Sequence, residues 1–225
     1  MLAIKDLQHQ YRKGVDLGPI SLTLSTGDCL LVLGPNGSGK TTLLKLMTGL
    51  LTPTAGTLTL QGKSLGDQTP AQLARSIAWL GPYTAPVFNF SVQSILEMGP
   101  NKSEPWPVFD FPLSTPFLEL SSGQQQHVLL QRLWRKNTPL VLLDEPLEHL
   151  DVAHQYDLAA QIQAQNKDKI IIVSAHNWEL LAPICTHVLC LKKGKITGFG
   201  SPEELDLDTI LSETFGRSGL GKRFA

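Results

Sequence analysis

Apolar and polar positions alternate in short pieces over the first 33 residues, in "LAIKDL", "ISLTLS" and "CLLVL". The breaks fall at Gly14, Gly18-Pro19 and Gly27-Asp28. A period of two interrupted by turn residues predicts strands joined by turns, and "GTLTLQGKSL" at 56–65 repeats the pattern around Gly62. The rhythm changes at Gly39. Leu43, Leu44, Met47 and Leu50 recur at helical spacing until Gly49 and Pro53 stop the run, so a strand feeds a helix through a glycine loop. Further on, "SIAWL", "LVLLD", "KIIIVSA" and "HVLCLKKGKITGF" are continuous apolar runs of the kind buried in a parallel sheet, with helical stretches between them. This alternation predicts α/β layering, with an antiparallel β layer near the N-terminus. "GPNKSEPWPVFDFPLSTP" at 99–116 holds five prolines and no sustained period, which predicts an irregular connector or a stunted subdomain.

Composition narrows this picture. A chain of 225 residues that is 42% hydrophobic can bury a substantial core. Nineteen basic against twenty acidic side chains give a net charge of −1, which supplies no general attraction to nucleic acid or to an anionic membrane surface. The longest apolar runs fall far short of the ~20 residues that span a bilayer. The opening "MLAIKDLQHQY" lacks the basic and then apolar order of an export signal, so the expectation is a cytoplasmic protein that does not insert in the membrane. Cys29, Cys185 and Cys190 sit in apolar contexts without CxxC spacing and read as small buried hydrophobes.

"GPNGSGKTT" at 34–42 satisfies GxxxxGK[ST], and it stands where that pattern has a mechanism, between the apolar run "CLLVL" and the start of a helix. Gly34, Gly37 and Gly39 let backbone N–H groups turn inward around a phosphate, Asn36 lies in the same loop, and the helix N-terminus adds a favourable dipole. Lys40 is expected to reach the β- and γ-phosphates and Thr41 to offer a hydroxyl to Mg²⁺. Ser38 and Thr42 are further candidates for phosphate contacts. "LVLLDEP" ends a strand in two adjacent carboxylates at the edge of the sheet where α/β proteins bind ligands. Asp144 suits Mg²⁺ through water, and Glu145 suits a general base for an attacking water. "IIIVSAH" brings His176 to a neighbouring strand tip, where it can hydrogen-bond a γ-phosphate.

Taken with "LSSGQQQ" at 120–126, these motifs resemble the nucleotide-binding subunit of an ABC transporter, over nearly the whole chain. That stretch is similar to the family's signature "LSGGQ", with Ser122 for the first glycine. The resemblance implies a P-loop NTPase of ABC type: a mixed central sheet flanked by helices, an antiparallel β-subdomain and a shortened α-helical subdomain. It implies one domain over 1–225, with 1–82 and 136–225 forming the core and β-subdomain and 83–135 the small helical lobe. In the family the signature caps the γ-phosphate held by a second subunit, so Ser121, Ser122, Gly123 and Gln124 are expected to contact ATP in trans. Asp151, in "LEHLD", resembles the D-loop aspartate that bridges the two subunits, and His176 the switch histidine. Tyr11 stands where the family stacks an aromatic ring on adenine, though as a lone Tyr it also suits a partly buried core position.

One position departs from the pattern. Pro82 follows "SIAWLG" where the family has a glutamine that ligates Mg²⁺ and signals to the membrane partner; water, or Tyr83 and Thr84, are the candidates to replace that ligand, and the departure bears on both hydrolysis rate and coupling to transport. The resemblance implies a subunit that binds and hydrolyses ATP, with ATP closing a homodimer beneath an integral-membrane permease and hydrolysis loosening it, peripheral on the inner face of the membrane. "APVFNFSVQSILEMG" and "GSPEELDLDTILSETFG" are most similar to importer subunits for iron chelates, haem or cobalamin. An export ATPase, as in haem export, and a nucleotide-gated dimerisation module that scarcely hydrolyses ATP are the alternatives. A relative acting in DNA repair or on the ribosome would need a coiled-coil insertion, a second cassette or a basic surface, none of which the sequence carries.

Overall fold

In the computed structural model, residues 1–11, 16–82, 88–98, 107–148, 150–176 and 178–216 are described, the Asp208 side chain apart. Two sheets lie at its centre. The first is antiparallel, in the order β2 (Leu17–Leu24), β1 (Leu2–His9), β4 (Ala55–Leu60) and β5 (Lys63–Ser64). Gln61 and Gly62 both adopt positive φ, which makes the tight β4–β5 turn.

The second sheet has six strands, β3 (Cys29–Leu33), β6 (Ile77–Leu80), β7 (Leu140–Asp144), β8 (Ile170–Ser174), β9 (His187–Lys192) and β10 (Lys195–Gly200), in the order β10-β9-β3-β8-β7-β6. All its neighbours are parallel except β9 and β10. This corrects one expectation: "HVLCLKKGKITGF" is not a single run in a parallel sheet but a hairpin. Lys193 and Gly194, both at positive φ, reverse the chain within it. The leucine-rich run hid a two-residue turn that only the Lys-Gly pair marks.

β3, β7 and β8 are buried at every residue, and period two explains how one strand serves two cores. Leu30, Val32, Leu140, Leu142, Ile170 and Ile172 face the antiparallel sheet and helix α1 (Lys40–Met47). Leu31, Leu33, Val141, Leu143, Ile171 and Val173 face α4 (Ser122–Arg135), α5 (Val152–Gln165) and α6 (Leu207–Phe215). α2 (Pro70–Ser76) leads into β6, capped by Thr69 and Gln72 in a reciprocal box. α1 is shorter than its apolar spacing suggests: Gly49, at φ 75, ends it, and Leu50 lies outside it and 61% exposed.

A third, smaller cluster joins α3 (Val92–Glu97) to α4 through Val92, Ile95, Leu96, Phe117, Leu120 and Val128. The connector expected over 99–116 is described only from 107, where it carries no helix before a 3₁₀ turn at Phe117–Glu119. Among the described residues no helix is long and apolar enough to cross a membrane. Burial pushes the Cys190 thiol up to about 12, and the Cys29 sulfur 3.2 Å away together with burial holds Cys185 well above its usual range, so neither thiol ionises near neutral pH.

Candidate functional site

β3, β7 and β8 release their chains at the same edge of the central sheet, and the polar segments that follow them converge there. β3 runs into the glycine loop. A side chain at Gly34 would collide with the Leu191 carbonyl and Ser38 Oγ, so only glycine lets the loop pass. Gly39, at φ 108, then starts α1 with no side-chain cap and no acidic residue in the first turn. The first backbone N–H groups of α1 are therefore left for an anion.

Opposite, Asp144 is 2% exposed. Its Oδ1 accepts from Ser174 Oγ at 2.6 Å, while Oδ2 has no partner among the described residues. Glu145 takes a left-handed backbone, φ 52, which a glutamate adopts only under constraint. The constraint is Ser174 again: the Glu145 N–H donates to its Oγ at 2.9 Å and to its carbonyl at 3.2 Å. So held, Glu145 places Oε1 3.2 Å from Lys40 Nζ and 3.2 Å from His176 Nε2. Lys40 Nζ also donates to the Gly34 carbonyl at 2.7 Å.

These groups border a cleft of about 500 Å³ lined by Asn36 through Thr42, Tyr11, Glu145, Glu148 and His176. Tyr11 is 39% exposed and its hydroxyl lies 3.0 Å from Thr42 Oγ1, which makes it part of the cleft wall and not of a core. Gly34 and Asp144 are not among its lining residues. A larger hollow of about 680 Å³, between Ala182 and Leu207, contains none of the P-loop residues.

The signature segment stands apart from this cleft. Ser121 is exposed and caps α4: its Oγ accepts the Gln124 N–H at 3.3 Å, and the Gln124 side chain accepts the Ser121 N–H at 3.0 Å. Ser122 is exposed, and Gly123 and Gln124 are half-buried. The next two glutamines turn inward. Gln125 Nε2 donates to the Phe117 and Leu120 carbonyls, and Gln126 Nε2 to the Pro146 carbonyl at 3.0 Å, which ties α4 to the loop after Glu145. From the other side Gln155 Nε2 donates to the Leu147 and Leu150 carbonyls.

Asp151 is 66% exposed and caps α5. Its Oδ1 accepts the His154 N–H at 3.0 Å and lies 2.8 Å from His154 Nδ1, and the His154 backbone bond holds its carboxyl below the usual range. Pro82 is exposed just beyond β6, while Tyr83 and Thr84 fall outside the described residues.

Sequence reasoning missed Ser174 and Glu148. The first is visible only as a polar end to an apolar strand, and the second as a carboxylate three residues after Glu145. Neither signal identifies what it faces.

Comparison with known proteins adds the lineage. The family described as ABC transporter matches residues 17–148. The chain is 34% identical to the hemin import ATP-binding protein of Rhodopseudomonas palustris, over 87% of this chain and 81% of that protein. It is 31% identical to the cobalamin import ATP-binding protein of Halobacterium salinarum, over 91% of this chain and 56% of that protein. A dimeric ATP-binding cassette in a post-hydrolysis state, bound to ADP and Pi, superposes with a TM-score of 0.77 at 20% identity, covering 89% of this chain and 98% of that one. With the family's pattern over more than half its length and such relatives spanning most of it, the chain belongs to the ABC transporter family, as an ATP-binding subunit that hydrolyses ATP.

Proposed function

We propose that this ATPase powers an importer for a metal chelate, haem or cobalamin, and that two copies close on ATP beneath an integral-membrane permease. The observation that carries the catalytic part is the contact of Glu145 Oε1 with both Lys40 Nζ and His176 Nε2, each at 3.2 Å, at the end of the phosphate loop. Cargo class follows the relatives that import hemin and cobalamin.

In this reading Asn36 through Thr42 and the free N–H groups of α1 bind the phosphates, Lys40 neutralises the β,γ end, and Tyr11 stacks on the base. Water attacks the γ-phosphorus. A bond forms between its oxygen and phosphorus, the bond to the β,γ-bridging oxygen breaks, and Glu145 takes the proton. His176 orients Glu145 and donates to the γ-phosphate. Thr41 and Asp144 are the residues that would hold Mg²⁺, and the unpartnered, buried Asp144 Oδ2 fits a cation. The ion would screen phosphate charge and favour release of ADP.

Ser121, Ser122, Gly123 and Gln124 stand outside their own chain's cleft, exposed or half-buried, which supports a role toward the ATP of a second copy, with Asp151 beside it. The lobe over 83–135 is then the natural meeting place for the permease, and the permease would hold the subunit at the inner face of the membrane.

The decisive variant is Glu145→Gln. Phosphate release should fall at least about 100-fold, as for loss of a general base. With ATP and Mg²⁺ the variant should elute as a dimer, while the parent without nucleotide elutes as a monomer. Undiminished phosphate release, or identical elution under every condition, overturns the reading. Capture of the native complex from membranes, followed by uptake measurements with haem, cobalamin and a ferric chelate, tests the cargo.

A further inference from the structure

Glu145, Glu148 and His176 bring two carboxylates and an imidazole together, with one ligand atom of each within 4.8 Å of the others. Two of the three already sit as neighbouring ligands do, Glu145 Oε1 and His176 Nε2 being 3.2 Å apart. Around an ion bound at ~2.0–2.2 Å, ligand atoms lie roughly 3–3.5 Å from one another, so only the exposed Glu148 carboxylate has to swing in, by about an ångström. The cleft also carries a surplus of carboxylate. Among the described residues Glu145 and Glu148 line the cleft with one ammonium, Lys40, and behind them the buried Asp144 adds a third carboxylate whose Oδ2 has no hydrogen-bond partner there. Lys40 would not be stranded by release of Glu145, because the Gly34 carbonyl holds its Nζ at 2.7 Å.

We propose that Glu145, Glu148 and His176 form a site for one divalent transition-metal ion of the Zn²⁺ type, distinct from the Mg²⁺ ligands Thr41 and Asp144, and that its occupation stops hydrolysis. The imidazole sets the class of ion. Mg²⁺ takes oxygen ligands and sheds water reluctantly, whereas one imidazole with two carboxylates suits Zn²⁺ and its neighbours in the first transition row. Binding consumes the Glu145 lone pairs and the His176 ring nitrogen that faces them. A metal-loaded subunit therefore holds its nucleotide site without a base. This inhibitory half rests on Glu145 being the base, and the binding half does not.

The test of binding uses the full chain without ATP or Mg²⁺, titrated calorimetrically with ZnCl₂ and then followed by absorption with CoCl₂. One ion per chain is expected, with affinity at least about tenfold weaker in Glu148→Gln and in His176→Gln. The Co²⁺ spectrum should show oxygen and nitrogen ligation without a thiolate charge-transfer band, and urea midpoints identical to the parent's establish that both variants are folded. Parental affinity in Glu148→Gln overturns the site. So does a thiolate band, which would move the ion to the cysteines, or loss of binding in His154→Gln, which would move it to the exposed Asp151–His154 pair.

The test of regulation adds ZnCl₂ at fixed Mg·ATP. Half-inhibition should come near the Zn²⁺ dissociation constant in the parent and at least tenfold higher in Glu148→Gln. Equal sensitivity of the two proteins overturns the inhibitory half. A chain with no ATPase activity at all refutes the functional reading, while the zinc titration still decides the site.

Discussion

Ser174 does more than its place at the end of an apolar strand suggests. Its hydroxyl, fully buried, donates to Asp144 Oδ1 and accepts from the Glu145 N–H, so one atom positions the residue proposed for the cation and the residue proposed as base. Ser174→Ala leaves a buried carboxylate oxygen short of a donor and the strained Glu145 short of an anchor. The expected loss is about 1–3 kcal/mol in a urea melt, with a lowered rate of phosphate release. A variant as stable as the parent would show that the hydroxyl holds neither group. Residues of this kind were the least legible in the sequence. Lys40, Asp144 and Glu145 announce themselves through local spacing, whereas Ser174 acquires meaning only from the β7–β8 register that sets it beside Asp144. Glu148 likewise becomes informative only once His176 arrives from the next strand.

At the level of elements, four of the five serines and glutamines at the head of α4 divide their work by helical position. Ser121 and Gln124 complete the cap at the surface, while Gln125 and Gln126 are buried and hold carbonyls of neighbouring segments. Periodicity identified the helix, yet it could not distinguish a polar first turn aimed at solvent from one wired to the interior. His127, next along, is packed edge-on to Phe109 at 5.2 Å with Gln131 at 3.2 Å. Burial, then the charge of His154, holds its pKa below 6.5 against the smaller opposing pull of Asp110 and Asp157. The unfolded chain therefore binds the proton more readily. Stability is full above pH 6.5 and declines as the pH falls toward the depressed folded value. Urea midpoints between pH 5 and 8 should show that decline, and His127→Gln should flatten it. An unchanged slope would place the titration elsewhere. The β9–β10 hairpin, by contrast, was misread because a leucine-rich strand and the antiparallel strand after it look continuous until the Lys-Gly turn is given its backbone geometry.

Across the whole molecule, fold class was legible because both sheets follow from period and composition: continuous apolar runs for strands covered on two faces, alternation for the N-terminal layer. Strand order was not, since it depends on pairings between distant segments. The strand that feeds the phosphate loop, β3, is flanked by β8 and β9, both supplied by residues 170–192, while its own sequence ends at 33. A nascent chain emerging from the ribosome thus carries its complete glycine loop long before either edge of β3 can be covered. A fragment of residues 1–165 should show no cooperative unfolding transition and no ATP binding by titration, and tight binding by it would refute this dependence. Non-local closure of this kind is slow and leaves apolar strands exposed meanwhile. Until the last quarter of the chain appears, β3 has neither neighbour to pair with, and nucleotide cannot assist folding from the N-terminal side.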